Sequence, residues 1–101
     1  MLGEFEQIVL LALIRLADDA YGMTVRREIA ERIGRDVSIG AVYATLDRLE
    51  KKGLLKSRTG DPTPERGGRA KRIFVITATG KKALQGAQAA FDRMREGVKL
   101  G

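Results

Sequence analysis

Four cations fall within seven residues in the second half of the chain: Arg66, Arg69, Lys71 and Arg72, with Gly67-Gly68 between the first two. Guanidinium and ammonium groups at this density suit phosphate, and paired glycines let one backbone approach another closely. A second set lies upstream. Ser38, Gly40, Ala41, Ala44 and Thr45 are all small, Tyr43 stands among them, and Arg48 and Lys52 follow. Small side chains on one helical face admit close approach to a groove of DNA or to another helix. The chemistry that is missing bounds the function as firmly. The sequence has no cysteine and no histidine. That removes most zinc, copper and haem sites, the Ser-His-Asp triad and the commonest general base. Gly80-Lys81 fails the phosphate-loop pattern, because Lys82 follows and Val75 holds the place of the first glycine. Asp18-Asp19 are adjacent in a turn and point apart. The expectation is a protein that is not an enzyme and uses no cofactor or metal.

Charge placement sharpens the reading. The 101 residues carry a net charge of +6. Residues 1–47 hold five basic and eight acidic groups, whereas residues 48–72 hold nine and three. The basic excess is therefore focused on one quarter of the chain, as a polyanion partner requires. A membrane surface would call for an amphipathic helix with a basic face. Here the cations sit at a helix end and in a loop. The apolar run Ile8–Ile14 spans seven residues and stops at Arg15, far short of the roughly 20 a bilayer needs. The N-terminus carries Glu4 and Glu6 where a signal peptide carries positive charge. We expect a cytoplasmic protein of one domain's length.

The elements that must hold these residues follow from periodicity. Residues 3–16 are apolar on most sides of a helix, which suits a core or an oligomer. Tyr21-Gly22 make a turn, and a second helix points Val25, Ile29, Ala30 and Ile33 inward before Gly34 ends it. Ser38 caps a third helix whose stripe is Ile39, Val42, Leu46 and Leu49. Its other face shows Gly40, Ala41, Ala44, Thr45, Arg48 and Lys52. Leu54–Thr59 and Arg72–Ile76 are strand candidates. The segment between them, GDPTPERGGRAKR, reads as a loop of about a dozen residues. Thr77 caps a last helix with Leu84, Ala87, Phe91, Met94 and Val98 at spacings of 3, 4, 3 and 4. Such a seam folds back on the first helix, packs on a second copy, or does both.

Three helices followed by a β-hairpin make a winged helix-turn-helix, in an α+β, mostly α chain. The division expected is a DNA-binding domain over residues 1–76 and a dimerisation helix over residues 77–101. The third helix would enter a major groove of double-stranded DNA. Ser38 and the helix N-terminus would offer donors to phosphate. Ser38, Gly40, Ala41, Tyr43, Ala44, Thr45 and Arg48 are its candidate contacts. Arg66, Gly68, Arg69 and Lys71 are those of the wing. Phe5, Ile8, Val9, Leu84, Ala87, Phe91, Met94 and Val98 are the candidate dimer interface. A winged-helix module that binds protein instead would not need the concentrated positive charge.

The blocks LGEFEQIVLLALI, AYGMTVRREI, SIGAVYATLDRLEKKGLL and GGRAKRIFVITATGKKAL resemble the PadR family of bacterial transcriptional regulators over nearly the whole chain. The resemblance implies a homodimeric repressor on a pseudo-palindromic operator, with the tyrosine, here Tyr43, near the DNA backbone. It also implies the short form with a single C-terminal dimerisation helix. Two positions depart from the family pattern. An aromatic pair often stands on the return strand, where this chain has Ile73-Phe74. Members that sense drugs stack planar ligands on a tryptophan of the last helix, and this chain has no tryptophan. Phe91 is therefore assigned to the dimer core, and the sequence names no small-molecule effector.

Overall fold

The computed structural model describes residues 2–62 and 70–101. The element order is α1 (Glu4–Leu16), a 3-10 turn (Ala17–Asp19), α2 (Gly22–Ile33), α3 (Ile39–Lys51), β1 (Leu55–Pro62), β2 (Ala70–Ile76) and α4 (Ala78–Arg95). The two strands form one antiparallel hairpin. The architecture is that of a winged helix, mostly helical.

Local chemistry explains the helix starts. The Gly3 amide donates to Glu6 Oε1 at 2.9 Å, which satisfies one of the free donors at the start of α1. The Tyr21 amide donates to Thr24 Oγ1 at 2.9 Å in the same way for α2. Ser38 Oγ accepts from the Ala41 amide at 3.0 Å, as its cap role requires. Thr77 does two jobs. Its Oγ1 accepts from the Gly80 amide at 3.0 Å and donates to the Gly53 carbonyl at 2.7 Å. That ties the start of α4 to the turn between α3 and β1. Gly80 permits the contact, since a Cβ there would lie 2.0 Å from the Leu54 carbonyl oxygen.

The core gathers Val9, Leu10 and Leu13 of α1, Val25 and Ile29 of α2, Val42, Leu46 and Leu49 of α3, and Leu55 and Phe74 of the hairpin. Phe74 is fully buried among them. Its amide donates to the Ala20 carbonyl at 2.8 Å, so β2 is also anchored to the corner between α1 and α2.

Several expectations need correction. The hairpin strands run further than local propensity suggests: β1 reaches Pro62 and β2 begins at Ala70, so both ends of the expected loop belong to the ladder. The register shifts between Thr59 and Pro62, which is how a ladder accommodates a residue with no amide proton. Ala30 and Ile33 of α2 are exposed rather than inward, because the last turn of α2 runs past the core; Gly22 and Thr24 are buried in the first turn instead. Val9, Leu84 and Ala87 belong to the protomer's own core and not to a surface between copies. α4 folds back on α1 as far as Gln88, whose Nε2 donates to Gln7 Oε1 at 2.9 Å. The helix ends at Arg95, so Val98 lies beyond it and the seam is shorter than its spacing suggests.

Candidate nucleic-acid interface

The outward face of α3 is built by what its inward face buries. Val42, Leu46 and Leu49 point into the core, which turns Gly40, Ala41, Tyr43, Ala44, Asp47, Arg48 and Lys51 outward. Ser38 is exposed at the N-terminus, and no acidic residue occupies the first turn. The first two turns therefore present a shallow, small-residue surface beneath a capped helix end. Thr45 does not belong to it. It is 3% exposed, because position 45 falls between the inward residues 42 and 49, one step from 46. Its expected outward placement is corrected. A sequence stripe drawn with only apolar residues leaves such a threonine out.

Tyr43 is 39% exposed and is held by two neighbours. Its ring meets Phe74 edge-on at 6.5 Å between centroids. Its other flank lies on Gly22, where a Cβ would stand 2.3 Å from the ring carbon Cζ. The glycine at the start of α2 thus makes the seat for the tyrosine. Arg26 fixes the turn that leads into α3 by donating from Nε to the Val37 carbonyl at 2.8 Å.

Four cations around this face are tied to the protein itself. Arg48 Nε and Lys52 Nζ lie 3.1 Å and 3.2 Å from Glu6 Oε2, and both side chains remain about half exposed. Glu6 is 7% exposed. Its carboxyl is lowered from 4.5 to about 2, chiefly by the Gly3 amide and then by Arg48 and Lys52, against the opposing effect of burial. Lys71 Nζ lies 3.0 Å from the Tyr21 hydroxyl and 4.1 Å from the centre of that ring. Arg72 was expected in the basic tip. It instead faces α3, with Nη1 3.4 Å from Asp47 and Nη2 paired with Glu50. The tip residues Arg66, Gly68 and Arg69 lie outside the described residues. Among the described residues, no group of three or more acidic side chains is placed to hold a metal ion. No described helix is long and apolar enough to cross a membrane.

Sequence reasoning missed Glu6, Asp47 and Tyr21 as parts of this surface. Glu6 carries a local signal only as the third residue of α1. Asp47 and Arg72 are 25 positions apart, and nothing in the spacing announces that they meet.

Comparison with known proteins decides what a surface of this shape belongs to. The family model described as the transcriptional regulator PadR-like family matches residues 10–86. The chain belongs to this family. It is 35% identical over 86 residues to the transcriptional regulator Rv3488 of Mycobacterium tuberculosis (strain ATCC 25618 / H37Rv), covering 83% of this chain and 74% of that protein. In structure it is similar to a PadR family transcription regulator from Clostridium difficile R20291, with a TM-score of 0.74, 22% identity and 93% of each chain covered. F93 from STIV, a winged-helix DNA-binding protein, gives a TM-score of 0.72 at 20% identity, covering 93% of this chain and 94% of that one. At these identities the two structures speak for the fold. The family speaks for the function: this PadR-like chain is a DNA-binding transcription regulator.

Proposed function

We propose that this PadR-like protein is a homodimeric repressor that binds a pseudo-palindromic operator in the bacterial cytoplasm. In this reading α3 of each protomer lies in a major groove and the β1–β2 wing lies on the flanking DNA. The observation that carries it is the exposed surface of Gly40, Ala41 and Ala44 beside the capped N-terminus of α3. Ser38 Oγ accepts the Ala41 amide and keeps its own proton to donate to a phosphate. Tyr43 offers its hydroxyl from the edge of the same face. Arg48 adds positive charge further along, and Lys71, Arg66, Gly68 and Arg69 form the wing's contribution. The dimer uses Phe5 and Ile8, which are half-buried, and Phe91, Met94 and Val98, which are exposed. Nothing among the described residues favours the protein-binding alternative.

The test is sedimentation of the purified chain, alone and with random-sequence duplex at two salt concentrations, followed by operator selection and footprinting. The expected result is a dimer whose affinity falls with salt by about 0.9 log units per log unit for each phosphate contact. Its footprint should show two half-sites about 34 Å apart, or a multiple of that spacing. A monomer that ignores DNA would overturn the reading.

A further inference from the structure

Arg72 stands on β2 opposite Thr59 and has partners on α3, β1 and β2. Its Nη1 lies 3.4 Å from Asp47 Oδ1 and its Nη2 is paired with Glu50 Oε1, both on α3. Its Nε donates to Ser57 Oγ of β1 at 3.1 Å. Ser57 Oγ in turn donates to Glu50 Oε2 at 2.8 Å. The guanidinium also covers the Phe74 ring at 4.8 Å. Arg72 and Phe74 are two apart on β2 and share a face, and Ser57 is the cross-strand partner of Phe74. One side chain therefore links both strands of the wing to two successive turns of the recognition helix.

We propose that Arg72 is a positioning residue that sets the angle of the wing against α3, acting through Glu50 and Asp47. A planar fork is suited to this, because it holds two carboxylates at fixed directions where an ammonium would hold one. With its charge engaged by two carboxylates, Arg72 acts on DNA binding through the direction of the strands rather than as a phosphate contact. It aims Lys56, Arg58 and Lys71, the cations of the described part of the wing, at DNA outside the segment read by α3. The proposal rests on the reading of the hairpin as a DNA-flanking wing.

Footprinting and salt titration of the full-length protein on a selected operator separate the possibilities, with thermal melting as the control for folding. Arg72→Ala should keep the central protection given by α3, lose protection at the outer edges, and reduce the salt slope by about 1 to 2. Arg72→Lys should restore part of the edge protection. The deciding variant is Glu50→Gln. If Arg72 positions the wing, Glu50→Gln weakens edge protection as Arg72→Ala does. If Arg72 is itself a phosphate contact, freeing it from Glu50 raises affinity and steepens the slope, and the proposal is overturned. Folded Arg72→Ala protein with an unchanged edge and slope overturns it too. A wild-type protein that shows no edge protection at all would instead remove the wing reading on which the proposal stands.

Discussion

The two ends of this molecule treat their side chains in opposite ways. Around α3 and the wing, four cations have an internal partner: Arg48 and Lys52 meet Glu6, Lys71 meets Tyr21, and Arg72 meets Asp47 and Glu50. The ring of Tyr43 is seated on Gly22 and Phe74. Beyond Ala87 the second half of α4 and the tail leave Phe91 57%, Met94 79% and Leu100 86% exposed. The difference teaches where each surface gets its order. The α3 surface is pre-formed within one protomer, so it can meet a rigid duplex with little further ordering. The α4 surface is apolar and unsatisfied within the protomer, which is the condition that a second copy would relieve.

The sharpest way to break this comparison is to remove the residue on which the ordered end converges. Phe74→Ala should lower stability by about 3–5 kcal/mol, because it empties a fully buried site in the core. A urea titration reads this as a lower midpoint. A loss below about 1 kcal/mol would mean that the hairpin is not integral to the core. Gly22→Ala tests the seat of Tyr43. The added methyl must displace the ring, so we expect a loss of about 2 kcal/mol and weaker operator binding together. Normal affinity in that variant would detach Tyr43 from DNA recognition.

Glu6→Gln probes the link from α1 to α3, with an expected cost of about 2 kcal/mol at pH 7. The sign of its pH dependence follows from the lowered carboxyl. The contribution of Glu6 is complete above pH 4.5 and disappears as pH falls through about 2. The gap between wild type and Glu6→Gln should therefore be widest near neutrality and close below about pH 2; a gap independent of pH would show that the charge is irrelevant. The smallest effect on the fold belongs to the other end. Phe91→Ser should change protomer stability by only about 0.5 kcal/mol, since the ring is exposed. It should nonetheless shift the sedimentation of the chain toward monomer. An unchanged mass would dissociate this ring from assembly.

Much of the fold was legible because its signals are local. The caps Ser38 and Thr77, the stripe Val42–Leu46–Leu49 and the glycine at 34 mark helix ends and faces within a few residues of chain. The candidate surface of α3 was legible for the same reason: once 42, 46 and 49 are inward, 40, 41 and 44 face out. Thr45 shows the limit of that logic. A polar residue adjacent to the apolar stripe is buried when the neighbouring helices cover it, and its own type does not reveal this. The strand lengths show another limit, since pairing across the hairpin draws in residues of low strand propensity, as it does Pro62 opposite Ala70.

By itself, then, the amino-acid order determined the helices, most of their faces and the basic segment, because periodicity, capping and composition act over short distances; the motif blocks carried the family resemblance. Tertiary structure alone decided which cations are held internally, which half of α4 is core, and how the wing sits on α3. These depend on pairs such as Glu6 with Arg48 and Asp47 with Arg72, 42 and 25 positions apart. Coulombic attraction and burial pair such groups only after the backbone has brought them together, so no local pattern records them.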